Sequence, residues 1–185
     1  MVYHSGNQLI DPHFLFDRVH LVPGMHVADF GSGKTGNFVF PAAAIVGEKG
    51  IVYAVDIVKD ALQGIAKRAA LDGLANIHTV WADIEQPRGV LIPTQSLDIV
   101  LLINFLSAVK NDTAVLDEAH RLLKAGGSLL IVDWARSGLS FAPKENERLD
   151  CDMLMRWVEA HHYRLNDEFS VGQYHKGFIL QKPIV

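Results

Sequence analysis

The chain has 185 residues, 49% of them hydrophobic and 21% charged, with a net charge of −4 and a single cysteine, Cys151. That length and composition fit one globular domain with a full sheet-and-helix core, and the acidic balance counts against a nucleic-acid partner. One cysteine excludes an internal disulfide, no spacing suggests a metal site, and no apolar run reaches the roughly 18 residues of a membrane span. The opening MVYHSGNQLIDP lacks the basic and apolar regions of a signal peptide, so a cytoplasmic protein without membrane insertion is expected.

Asp11-Pro12 offers a capping acid and a proline at the first helical position, which predicts a leading helix over 12–21, stopped by Pro23-Gly24. Strands and helices then alternate: strand His26–Phe30, helix 37–46, strand Ile51–Asp56, helix Lys59–Leu71 and strand 77–83. Within the helix over 59–71, Leu62, Ile65, Ala66 and Ala69 form the apolar stripe, with Lys67 and Arg68 on a solvated face. Such alternation implies parallel strands joined by helical crossovers. The apolar run over 97–104 reads as a central strand covered on both faces, beside the first strand. Asp112 is expected to cap the next helix and Gly126-Gly127 to end it, before a strand over 128–133. A helix over 144–160 and a hairpin of 165–170 and 174–181 around Gly172 complete the chain. One domain over 1–185 is expected, with a leading helical segment (1–24) and a sheet-and-helix core (25–185).

The densest signal lies at residues 27–36, VADFGSGKTG, where an apolar strand ends in Asp29 and enters a glycine-rich turn. A P-loop would need a glycine where Ala28 stands, which argues against that reading. The dinucleotide fingerprint G-x-G-x-x-G does fit Gly31, Gly33 and Gly36, with Asp56 about 20 residues further on as a ribose-binding acid. That fingerprint, a more general nucleoside-binding turn and a glycine turn serving only as a tight connection all remain open on these residues alone. In open α/β sheets ligands bind beyond the carboxyl ends of the strands, where Asp29, Asp56, Asp83, Asn104 and Asp133 fall.

Five segments in order resemble the motifs of the class I S-adenosylmethionine-dependent methyltransferases, especially the small-molecule enzymes of the ubiquinone and menaquinone biosynthesis type. They are VADFGSGKTGNF, IVYAVDI, VWADIE, LDIVLLINFL and LDEAHRLLKAGGSLLIVDW. The resemblance implies an α/β fold, a doubly wound, seven-stranded, mostly parallel Rossmann-like sheet with an antiparallel last strand. It also implies S-adenosylmethionine as cofactor and a small-molecule acceptor. By the same resemblance Asp29 holds the methionine end, Gly31, Ser32, Gly33 and Gly36 present backbone, and Asp56 binds the ribose. Ile57 lies on the adenine face, Asp83 and Ile84 take the adenine edge, and Asn104 stands near the transferred methyl group. Asp133, Trp134 and Arg136 become candidates for the acceptor pocket.

The family loop runs D-x-G-x-G-x-G, whereas Thr35 stands here at the third glycine and Gly36 follows, so Lys34 behaves as a one-residue insertion. This leaves room for a second reading, a cofactor-binding or regulatory module with impaired turnover. RNA or protein methylation and a nicotinamide-dependent oxidoreductase are further alternatives. His4, His13, His161, His162 and His175 show no catalytic spacing and read as structural or surface groups. No catalytic base and no oligomeric state is assigned by the sequence.

Overall fold

The computed structural model describes residues 6–136 and 138–184. After a 3₁₀ turn at Gly6–Leu9 and helix α1 (Pro12–Arg18), the chain alternates through β1 (His26–Phe30), α2 (Val39–Val46), β2 (Ile51–Asp56), α3 (Lys59–Leu71) and β3 (Ile77–Trp81). It continues with β4 (Leu97–Ile103), α4 (Asp112–Leu122), β5 (Leu123–Trp134), α5 (Cys151–Ala160), β6 (Arg164–Val171) and β7 (His175–Gln181). The strands form one sheet of seven in the order β3-β2-β1-β4-β5-β7-β6. Strands β1 to β5 run parallel, so their carboxyl ends share one edge, and β7 returns antiparallel between β5 and β6.

Strand alternation splits the core in two. Val27, Ile99, Leu101 and Val132 face the layer of α1, α2 and α3, while Ala28, Val100, Leu102 and Ile131 face α4 and α5. The central β4 is almost wholly buried, as its unbroken apolar run requires. In α3 the buried positions are Ala61, Leu62, Ile65 and Ala69, so Ala61 replaces the expected Ala66 on the core face. Arg68 lies over the ring of Phe40 at 3.8 Å and stays in the solvated layer.

Several boundaries differ from the sequence reading for local reasons. Asn111, not Asp112, caps α4, its side chain accepting from Ala114 N. The Gly126-Gly127 pair does not end that helix. Leu122 passes directly into β5, and the glycines lie inside an irregularity where the register jumps from Leu97↔Leu123 to Ile99↔Ser128. Helix α5 starts only at Cys151 because Asp150 accepts from Met153 N at 2.9 Å, leaving Glu145–Glu147 as a 3₁₀ turn. Helix α1 stops at Arg18, α2 begins at Val39, and β3 ends at Trp81.

Candidate active site

The glycine turn curls back over the end of β2. Gly31 N and Ser32 N both donate to Val55 O, at 2.8 and 3.2 Å. Gly31 adopts φ +75°, and a Cβ there would fall 2.3 Å from Phe105 Cδ2, so only glycine fits. Gly33 N donates to Asp56 Oδ2 at 2.8 Å, and Val58 N donates to Asp56 Oδ1 at 2.8 Å. Asp56 thus ties the turn to the start of α3. Each carboxylate oxygen keeps a second lone pair for a further donor.

Two hollows meet at this point. One, about 390 Å³, lies over Ser32, Gly33 and Lys34 and is bounded by Asn104, Trp134 and Phe141. The other, about 230 Å³, is bounded by Ile57, Asp83, Ile84 and Phe105. Gly31 and Asp56 line both, making them two lobes of one cleft at the carboxyl edge of the sheet. Of the expected cofactor residues, Gly31, Ser32, Gly33, Asp56 and Asn104 line the larger lobe, and Asp56, Ile57, Asp83 and Ile84 reach the smaller one.

Gly36 does not line the cleft, which corrects the expectation from spacing. With Lys34 added to the turn, Gly36 falls behind it at φ +57°, where a Cβ would come within 2.8 Å of Phe40 and 3.4 Å of Ile65. Its role is to let the turn pack onto α2 and α3. Asp29 also stands back from the cleft surface, only 2% exposed. Burial, followed by the nearby charge of Asp56, pushes its pKa up from 3.8 to about 8. Its Oδ2 and the Ser32 hydroxyl are buried with no hydrogen-bond partner among the described residues. Unpartnered acceptors beneath a cleft are stabilised by a donor or a positive charge brought in from above.

Asn104 closes β4 in the left-handed region, φ +52°, and donates through Nδ2 to Asn7 Oδ1 at 2.8 Å. Asn37 Nδ2 donates to Asn7 O at 3.0 Å, so the 3₁₀ turn at Gly6–Leu9 is fastened over the larger lobe. Gly6 lies against Trp134, where a Cβ would come within 2.4 Å of the indole. Asn7, Phe105 and Phe141 were not singled out from the sequence. Asn7 and Phe141 lie outside every motif of the sequence, and Phe105, although inside LDIVLLINFL, has no signal that sets it apart from the apolar run around it.

Asp133 turns away from this cleft. β-Strand register pairs Asp29 with Leu101 and Leu101 with Leu130, so Asp133 falls on the opposite face of the sheet from Asp29. Its carboxylate accepts from Ser107 N and Trp134 N, fixing the loop after β4, and burial raises its pKa above the ordinary value despite those bonds. Trp134 does wall the larger lobe, whereas Arg136 is exposed and absent from its lining.

The described histidines lie elsewhere. His13 is exposed on α1, His161 stacks on Trp157 at 4.3 Å, and His162 is exposed at the end of α5. His175 is buried against Trp134, which pushes its pKa down to about 4 and keeps the ring neutral near pH 7. His4 lies outside the described residues. No group of three or more His, Cys, Asp or Glu side chains able to hold a metal occurs among the described residues.

A cleft with a carboxylate shared by two lobes, apolar walls around the smaller lobe and buried acid below the larger one suits a nucleoside bearing a cationic chain. Comparison with known proteins agrees. Residues 21–176 match the family described as a methyltransferase domain. The ubiquinone/menaquinone biosynthesis C-methyltransferase UbiE of Vibrio vulnificus (strain YJ016) is 32% identical over 115 residues, covering 62% of this chain and 43% of that protein. The aklanonic acid methyltransferase DauC of Streptomyces sp. (strain C5) is 37% identical over 87 residues, covering 47% and 38%. The matched stretch therefore spans less than half the length of these relatives.

Among solved structures, a SAM-dependent methyltransferase from Aquifex aeolicus superposes with a TM-score of 0.83 at 24% identity, covering 98% of this chain and 93% of that one. The cyclase SpnF has the same fold, with a TM-score of 0.78 at 13% identity, covering 98% of this chain and 82% of that one. With the matched domain extending from the segment before β1 into β7 and the glycine turn and acid-ended strands in place, the chain belongs to the methyltransferase-domain family.

Proposed function

We propose that this chain is an S-adenosylmethionine-dependent methyltransferase acting on a small-molecule acceptor. The observation that carries the reading is the position of Asp56, which anchors Gly33 while lining both lobes of the cleft. The cofactor would supply a methyl group on a positively charged sulfur, already activated for in-line displacement.

The remaining lone pairs of Asp56 take the two ribose hydroxyls. Ile57 and Ile84 sandwich the adenine, with Asp83 at its amino edge. The Asp83 carboxylate is shaped for this by Glu85 N, which donates to Oδ1 at 3.1 Å. Asp29 and Ser32 face the cationic amino-acid chain from below, and a positive charge arriving there returns Asp29 to its ionised form. Asn104 and the 3₁₀ turn at Gly6–Leu9 then cover the reacting end and limit its contact with water. Alignment of donor and acceptor contributes roughly 7–11 kcal/mol to such a displacement, so the chain needs no strong acid or base if the acceptor arrives nucleophilic.

Trp134 and Phe141, 5.9 Å apart in an edge-to-face arrangement, wall the acceptor end and suit a flat, largely apolar molecule. Among the described residues no helix is long and apolar enough to cross a membrane. Quinone precursors and aklanonic acid, the compounds named for the two relatives, are the first acceptors to try.

The test is transfer of a labelled methyl group from S-adenosylmethionine to a panel of small quinols, phenols and thiols, with the purified chain. Labelled product together with S-adenosylhomocysteine supports the reading. Tight cofactor binding without transfer to any member would favour a binding or regulatory module instead.

A further inference from the structure

We propose that Lys34 binds the α-carboxylate of the cofactor's amino-acid end and makes this chain selective for ligands that carry it. The inference rests on the reading of the cleft as an S-adenosylmethionine site. Its first support is charge. Among the described residues lining the larger lobe only two are charged, Asp56 and Lys34. Asp29 adds a buried carboxyl below. The amino-acid end of the cofactor carries an ammonium and a carboxylate, and these cannot both sit against acids. The ammonium is drawn to the Asp29 and Asp56 carboxyls, and the carboxylate is drawn to the one cation in that lining, Lys34.

Position supplies the second support. The neighbouring Gly33 is fixed by its N–H to Asp56 Oδ2 at 2.8 Å, and Gly36 is wedged against Phe40 and Ile65. The Lys34 carbonyl meanwhile faces α3, 3.8 Å from where a Cβ on Gly64 would lie. Lys34 therefore leaves a backbone held at both ends, while its side chain is exposed. Among the described residues its ammonium forms no hydrogen bond and no ion pair. An unengaged cation projecting from an anchored turn at the mouth of an acid-floored cleft is free to close on an anionic group. The inserted residue of the turn thereby gains a function that a glycine at that place would not supply.

The test is calorimetric titration of wild type, Lys34→Ala and Lys34→Arg with S-adenosylhomocysteine and with its decarboxylated analogue, which keeps the nucleoside, thioether and ammonium. Since charge-assisted contacts of this kind are worth roughly one to two powers of ten when partly shielded, Lys34→Ala is expected to weaken S-adenosylhomocysteine about ten-fold. The same substitution should leave the decarboxylated analogue within about two-fold, and Lys34→Arg should keep most of the affinity for both. Added salt should erode the wild-type preference for the carboxylate and leave Lys34→Ala little changed. Equal loss for both ligands, or no loss for either, overturns the proposal. If wild type binds neither ligand, the cofactor reading fails and the role of Lys34 falls with it, whereas a failure confined to the variant comparison leaves that reading standing. Thermal midpoints of the variants matching wild type confirm that an exposed loop substitution leaves the fold intact.

Discussion

Asp56 holds Gly33 in place across the mouth of the sheet, its Oδ2 accepting the Gly33 N–H at 2.8 Å while Oδ1 accepts Val58 N–H at 2.8 Å. One side chain thus orders the glycine turn, starts α3 and faces both lobes of the cleft. Removing it releases the turn and, on the proposed reading, also the ribose contact. Asp56→Ala should weaken S-adenosylhomocysteine by at least about 30-fold, corresponding to roughly 2 kcal/mol for lost hydrogen bonds to a charged acceptor. Calorimetry on the folded variant checks this, and unaltered affinity would remove Asp56 from the site.

The buried acid beneath the turn gives a pH signature. Asp29 has a folded-state pKa of about 8 against an ordinary 3.8, so the folded protein holds its proton more tightly than the unfolded chain does. The stability it contributes is complete below about pH 4 and is lost as pH rises toward about 8. Asp29→Asn should flatten the decline in melting temperature between about pH 5 and about pH 8 relative to wild type. Binding of a cationic ligand at neutral pH should in turn release a proton. The binding enthalpy of S-adenosylmethionine would then vary with the ionisation enthalpy of the buffer in wild type and lose part of that dependence in Asp29→Asn.

Gly31 admits no side chain. An added Cβ would meet Phe105 at 2.3 Å in a backbone region, φ +75°, that L-residues rarely adopt. Gly31→Ala must therefore push Phe105 into the smaller lobe or reshape the turn, at a stability cost of roughly 1–3 kcal/mol. The expected outcome is a folded protein, by circular dichroism, with cofactor affinity reduced more than ten-fold. Retained affinity would show that the two lobes are not bridged at Gly31.

The loop that carries Asp83 packs on the α4 face of the sheet and is secured by α4. Glu118, 3% exposed, accepts from Arg88 N and Val90 N and pairs with Arg121 at 2.7 Å. Burial pushes the Glu118 carboxyl up, but the hydrogen bonds from Arg121 and from Val90 and Arg88 outweigh it and hold its pKa below the ordinary 4.5. Its contribution is therefore present above that value and lost as pH falls through the lowered one. Glu118→Ala should cost about 3–5 kcal/mol by taking the carboxylate from Arg121 and the acceptor from Arg88 N and Val90 N, measured by denaturant unfolding. Glu118→Gln should cost less, and a neutral result for Glu118→Ala would mean that the loop is not held there.

The carboxyl-edge acids, the buried run of β4 and the βαβ order were legible because each leaves a local imprint: an acid closing an apolar strand, or a period of alternating elements. What was not legible depends on contacts remote in sequence. Asn7 reaches Asn104 across the mouth of the cleft, and no pattern near either residue announces the bond. Gly126-Gly127 looked like a helix stop because glycine pairs usually are one, but the carbonyls of Asp98 and Lys124 approach Gly127 within a strand irregularity. Gly36 matched a fingerprint by spacing, and the extra Lys34 moved it to the back of the turn. Asp133 ended a strand as Asp29 did, yet the register turned it to the other face.

The most direct test of the central claim is calorimetric titration of the purified protein with S-adenosylmethionine and S-adenosylhomocysteine, with NAD and ATP alongside. Micromolar binding of the first two alone, lost in Asp56→Ala, is the expected result. A folded protein that binds neither, or that binds NAD in their place, would contradict the assignment of this cleft to S-adenosylmethionine.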